Sequence, residues 1–112
     1  MMTLEDFKAA RSVLAPVLNT TELVQSAAFS KATGNHVYLK PENMQVTGAY
    51  KIRGAYYKIS TLSAEQKARG LVTASAGNHA QGVAYAAQHA GVEATIVMPT
   101  TTPLVKVNNT KD

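Results

Sequence analysis

From Gly70 to Val92 the chain carries no Asp, Glu, Lys or Arg. A helix standing free in solvent shows a charged or polar face, so an uncharged stretch of Ala, Gly, Val, Ser and Asn belongs to a segment packed on most sides. Its internal order is equally restrictive. LVTA (71–74) is a short apolar strand, SAGN (75–78) a small-residue turn, HAQGVAYAAQHAG (79–91) an Ala-rich helix closed by Gly91, and ATIVM (94–98) a second strand. Two such strands joined through a helix are expected to be buried on both faces, to pair in parallel and to take a right-handed crossover. The fold class is therefore α/β, an open parallel sheet in three layers.

Charge is concentrated before this segment: residues 1–69 hold 14 of the 18 charged side chains, and only Glu93, Lys106, Lys111 and Asp112 follow. Charged residues make up 16% of the chain, against roughly 25% in soluble domains. With 112 residues, little material is available to cover so apolar a segment. The chain has the composition of an interior.

The flanking sequence predicts further elements. TLEDFKAARSVL (3–14) has a capping Thr, acids in the first turn and bases later, the pattern of a helix ending before Pro16. NTTELVQSAAFSKATGN predicts a loop and a short helix closed by Gly34, and Val37–Lys40 a short strand ended by Pro41. After the polar loop ENMQVTG, a helix is expected from about Ala49 to Leu62, and Ser63 caps a further short helix closed by Gly70. Thr102 and Pro103 form an N-cap and N1 pair for a last helix. No repeat, low-complexity tract or linker divides the chain, so residues 1–112 are expected to form a single, partial α/β domain.

Several function classes drop out on composition. There is no cysteine, which excludes a disulfide scaffold, a thiol nucleophile and Cys-based metal sites. His79 and His89 lie ten residues apart and His36 precedes a strand, so no metal-ligand pair forms at helical spacing. No run approaches the roughly 18 apolar residues of a membrane span, and the acidic start does not suit a signal peptide. A cytoplasmic protein without membrane partners is expected.

Two segments carry chemistry. SAGN lies at the carboxyl end of a parallel strand, where ligands bind in open α/β sheets, and it opens a helix whose first amides are unpaired and dipole-positive, suiting a carboxylate or phosphate. It is equally compatible with a tight turn capped by Asn78. In TGAYKIRGAYYK (47–58), Lys51 falls in the first turn of its helix with Arg53 two residues on. Both placements disfavour a further positive charge there, and Schiff-base chemistry needs a neutral amine. Spacing alone is also that of an ordinary solvated lysine. A nucleic-acid patch built from Lys51, Arg53, Tyr56, Tyr57 and Lys58 is disfavoured, because the net charge of +4 is spread along the chain.

The segments LKPENMQVTGAYKIRGAY, SAGNHAQGVAYAA and ATIVMPTTTPLVKV, in this order and spacing, resemble the threonine dehydratases (threonine ammonia-lyases) of the fold-type II pyridoxal-phosphate enzymes. The resemblance extends from Tyr38 to Lys106. It implies a tryptophan synthase β-like fold, pyridoxal 5'-phosphate as cofactor and α,β-elimination of L-threonine to 2-oxobutanoate and ammonia, with L-serine to pyruvate as a second substrate. By this similarity Lys51 is the Schiff-base lysine and the base for the substrate α-proton. Tyr50, where the family usually has Phe, lies against the cofactor ring, and Asn78 bonds the pyridine 3'-oxygen. Ser75, Ala76, Gly77, Asn78 and His79 hold the substrate carboxylate.

Within that family, the related serine racemases carry a second serine before the Gly-Asn pair. Ala76 stands there in this chain and cannot carry a proton, which favours elimination over racemisation. The glycine-rich phosphate loop and the Ser or Cys that contacts the pyridine nitrogen come later in the family's sequences and have no counterpart here. The resemblance thus implies an amino-terminal portion of a longer enzyme, inactive alone, and homo-oligomeric as a dimer or tetramer at full length. Its implied setting is amino-acid metabolism, in threonine catabolism or isoleucine biosynthesis.

Overall fold

The structure is a computed structural model, and it describes residues 1–111. Helix α1 (Leu4–Leu14) starts at Thr3, whose Oγ1 accepts from the Asp6 amide while Asp6 Oδ2 accepts from the Thr3 amide, a reciprocal capping box. Strand β1 (Val24–Gln25) follows, then α2 (Ala27–Thr33), capped by the Ser26 hydroxyl at one end and by left-handed Gly34 (φ 68°) at the other. Strand β2 (Tyr38–Leu39) pairs antiparallel with β1. The expected strand at 37–40 is present; its partner at 24–25 lies where a loop was expected, because two residues carry no periodicity of their own and the pairing is tertiary.

A 3-10 turn (Glu42–Met44) leads to helix α3 (Lys51–Ser60), and α4 (Ala64–Ala68) follows behind a second capping box between Ser63 and Gln66. The charge-free segment then folds as β3 (Leu71–Ala74), α5 (Asn78–Ala90), closed by Gly91 at φ 63°, and β4 (Ala94–Val97). β3 and β4 pair in parallel, Leu71 opposite Ala94 through Ala74 opposite Val97. The last helix, α6, is Leu104–Lys111. It starts one residue later than expected: the Pro103 carbonyl accepts from the Lys106 and Val107 amides, while the Thr102 hydroxyl donates back to Pro99 instead of capping.

The core lies between α3 and α5. Ile52, Ala55 and Ile59 of α3 and Ala80, Val83, Ala86 and Ala87 of α5 are buried, with Tyr56, Leu62 and Leu71 packed around them. Alanines at this seam bring the helix axes close, and Ile52, fully buried, is the largest side chain locked in it. The loop ahead of α3 is tied down separately. Buried Gln45 accepts from the Asn19 amide (3.2 Å) and donates to its carbonyl (2.8 Å), and Asn19 Nδ2 donates to Met44 O (3.0 Å).

Burial of the strands differs from expectation. Leu71, Thr73, Ala94 and Ile96 face inward under α5, but Val72 is 79% exposed and Val97 54%. Only one face of the sheet is covered. The radius of gyration, 16.6 Å, exceeds the ~13 Å of a compact chain of this length. The accessible surface of 7911 Å² likewise exceeds the roughly 6,000 Å² of a compact monomer of 11.9 kDa. The interior-rich composition therefore appears as exposed Phe7, Phe29, Val72, Val97 and Leu104.

Candidate active site

Lys51 is the first residue of α3, two positions closer to the helix start than the expected boundary near Ala49 placed it. Tyr50 occupies the cap position in helical conformation, makes no capping hydrogen bond and is exposed. Its ring centroid lies 5.1 Å from Lys51 Nζ, a cation–π contact that leaves the ammonium and the ring side by side at the surface. The unpaired amides of the first turn put the positive end of the helix dipole beside the lysine.

Arg53 does not press on Lys51 as its spacing suggested. Its Nε and Nη2 donate to Glu42 Oε2 (2.9 Å) and Oε1 (2.7 Å), a bidentate pair that commits the guanidinium to the 3-10 turn. The hydrogen bonds from Arg53 hold the Glu42 carboxyl below the usual glutamate range. Tyr56 packs on the core and meets the His89 ring edge-on, so the basic and aromatic residues of this segment do not share one exposed face.

The SAGN turn sits where the β3–α5 connection requires. The Ser75 amide donates to Val97 O (3.0 Å), extending the parallel ladder by one residue, and Ser75 Oγ accepts from the Gly77 amide (3.3 Å). Gly77, not Asn78, is the cap residue of α5, and Asn78 is its first helical residue. The capping alternative for Asn78 is thereby overturned: a residue already inside the helix cannot cap it. Its Oδ1 instead accepts from Lys106 Nζ at 3.5 Å. The amides of Asn78, His79 and Ala80 have no acceptor within the helix, since the first intrahelical bond runs from Gln81 to Gly77 O. Ser75, Ala76 and Gly77 are half-buried, and Asn78 and His79 exposed. Beside the turn, Ala74, Ser75, Ala76, Val97, Met98 and Pro99 line a cleft of about 460 Å³ at the carboxyl ends of both strands.

Packing links the two segments. An ideal Cβ placed on Gly82 of α5 would lie 3.3 Å from the Lys51 carbonyl carbon and oxygen and from the Ile52 amide nitrogen. Gly82 follows Asn78 by four residues, or ~6 Å along the helix, so the first turns of α3 and α5 are neighbours. Lys106 escaped the residue-level reading because it reaches Asn78 from 28 residues away; its only signal was its place in PTTTPLVKV.

The profile of the family described as "Pyridoxal-phosphate dependent enzyme" matches residues 14–112. The chain belongs to this family. It is 55% identical to the L-threonine ammonia-lyase of Thermotoga maritima over 112 residues, covering all of this chain and 28% of that protein. Among solved structures, the processed threonine deaminase isoform 2 of Solanum lycopersicum superposes with a TM-score of 0.80 at 40% identity, covering 99% of this chain and 32% of the other. Maize serine racemase superposes at 0.88 with 39% identity, covering 96% and 33%. The chain spans about a third of the length of these relatives. Its fold is that of the fold-type II pyridoxal-phosphate enzymes, in part.

The family's cofactor is pyridoxal phosphate, and the residues present suit its aldehyde side: an exposed primary amine at a helix start, an aromatic beside it, and a turn of small residues with free amides. No helix among the described residues is long and apolar enough to cross a membrane. No group of three or more His, Asp and Glu among them could hold a metal ion.

Proposed function

We propose that this chain provides the lysine and the substrate turn of a pyridoxal phosphate-dependent threonine ammonia-lyase, acting on L-threonine and, secondarily, L-serine. The observation that carries this is the seating of the Lys51 turn of α3 on α5 one turn from Asn78, in a chain 55% identical throughout to an L-threonine ammonia-lyase. Pyridoxal phosphate, when bound, supplies the carbonyl carbon and the electron sink for loss of the α-proton. Lys51 would be its attachment point and, once the substrate amine has replaced it there, its freed Nζ would accept that proton. Tyr50 lines one side, and the Asn78 side-chain amide donates to the ring oxygen. The turn Ser75, Ala76, Gly77, Asn78 and His79 would hold the substrate carboxylate at the positive end of α5, with the Ser75 hydroxyl and the free Asn78 and His79 amides as donors. Loss of the β-hydroxyl as water, then hydrolysis with release of ammonia, gives 2-oxobutanoate from threonine and pyruvate from serine.

Ala76 favours this outcome over racemisation, the second reading suggested by the likeness to maize serine racemase. A methyl group can neither take nor return a proton on the opposite face of the substrate. The glycine-rich phosphate loop and the pyridine-nitrogen contact that the resemblance implies have no counterpart in these residues, so the 112 residues alone are expected to be inactive, and we propose a cytoplasmic homo-oligomer as the active form. A non-catalytic remnant is the alternative outcome. The test is a chimera in which this chain replaces the matching segment of the Thermotoga maritima enzyme: threonine-dependent 2-oxobutanoate formation, abolished by Lys51→Ala, is expected. A folded, cofactor-loaded chimera without turnover rejects the assignment.

A further inference from the structure

Helix α5 is rich in alanine, the best helix former, yet it holds a glycine at its fifth residue. Glycine in a helix interior is unfavourable relative to alanine, so something other than helix formation keeps it there. Backbone conformation does not, because Gly82 is absent from the positive-φ glycines Gly34, Gly48, Gly70 and Gly91. Space does. Its missing Cβ would sit 3.3 Å from three backbone atoms of the Lys51–Ile52 peptide, whereas at Gly54, the glycine inside α3, the same atom meets nothing within 4 Å.

We propose that Gly82 is the positioning residue for Lys51, and this rests on the role of Lys51 proposed above. Without a side chain at 82, α5 lies directly on the peptide that carries the lysine, and the Lys51 backbone is set beside the helix that the Ser75–His79 turn opens. The atoms a methyl would meet are backbone and cannot rotate aside. Nor can the start of α3 withdraw: Ile52 is fully buried on one side and Arg53 is tethered to Glu42 by two hydrogen bonds. A methyl at 82 therefore drives α5 off the Lys51–Ile52 peptide by a few tenths of an ångström, which loosens the first turn of α3 and changes where Lys51 stands relative to the Ser75–His79 turn.

Two measurements on the chain, on Gly82→Ala and on the open-space control Gly54→Ala test this, each below the melting temperature. The first is incubation with pyridoxal phosphate, borohydride reduction and peptide mapping, read as the ratio of label on Lys51 to label on Lys58, an exposed lysine of the same helix. The second is amide hydrogen exchange of the apo chain at residues 53–56, the first hydrogen-bonded amides of α3. Gly82→Ala is expected to lower the ratio and to speed that exchange by about tenfold each, and Gly54→Ala to change neither. Both readouts within about twofold of wild type in Gly82→Ala would overturn the proposal while leaving the role of Lys51 intact. No preference for Lys51 in the wild type, with exchange still responding to Gly82→Ala, would instead remove the catalytic role and retain the positioning. Should Gly82→Ala not fold, Gly82→Ala with Ile52→Val gives α3 room to shift, and the low ratio is again expected. Failure of both variants to fold makes Gly82 a folding residue only and overturns the proposal.

Discussion

Arg53 grips the Glu42 carboxylate with two hydrogen bonds, Nε at 2.9 Å and Nη2 at 2.7 Å, across eleven residues of chain. The pair clamps the turn before the lysine segment onto α3, and Thr21 Oγ1 adds a third hydrogen bond to the same carboxylate at 3.2 Å. Because the Arg53 bonds hold the Glu42 carboxyl below its ordinary range, the stabilisation is complete above the unfolded glutamate value of about 4.3 and is lost as pH falls through the folded value. Chain stability is expected to decline as pH drops from about 5, and Glu42→Gln to flatten that decline while costing about 1 kcal/mol at neutral pH. Urea titrations of both proteins at a series of pH values measure it; an unchanged acid limb in Glu42→Gln would contradict the assignment.

Ala76 is the residue expected to bias the reaction. In the chimera with the Thermotoga maritima enzyme, Ala76→Ser is expected to raise serine racemisation several-fold relative to elimination, since a hydroxyl at this position can exchange a proton. Chiral chromatography of residual serine alongside a pyruvate assay gives the ratio. No gain in D-serine would undercut the account of elimination over racemisation.

Lys106 Nζ approaches Asn78 Oδ1 at 3.5 Å, a long contact that turns the Asn78 NH2 toward a ligand. Lys106→Met, at a half-buried surface position, is expected to change stability by no more than about 0.5 kcal/mol and to weaken pyridoxal phosphate binding to the chimera about threefold through loss of one weak orienting bond. Fluorescence titration measures the affinity; equal affinities would show that Lys106 does not orient Asn78.

The exposed sheet face and the excess surface predict how the chain behaves alone. With Val72, Val97, Leu104 and Phe29 in solvent, it is expected to bind a hydrophobic dye and to associate as concentration rises. Sedimentation velocity over a concentration series reads this directly. A monodisperse monomer that binds no dye would mean that the exposed face closes on itself in solution.

Local signals in the sequence were enough for α1, α2 and α5, because Thr3, Ser26, Gly34 and Gly91 cap them within a few residues. The parallel pairing of β3 and β4 was legible for the same reason: a strand, a small-residue turn, a helix and a strand leave few other arrangements. What escaped was set at long range. The partner of Arg53 is eleven residues away, Lys106 reaches Asn78 across 28, and β1 exists only against β2. Burial of both sheet faces was over-read, since apolar Val72 and Val97 carry no mark of whether a covering layer is present. Tyr50, Lys51 and Ser75 to His79 are named from the sequence; the approach of Lys106 to Asn78 and of Gly82 to the Lys51–Ile52 peptide required the structure.

Lys51 is the lysine expected to take the cofactor. Borohydride reduction of the chimera loaded with pyridoxal phosphate, followed by peptide mapping, tests it most directly. The pyridoxyl group is expected on Lys51, with neither label nor 2-oxobutanoate formation in Lys51→Ala. Label on another lysine, with turnover surviving Lys51→Ala, would contradict it.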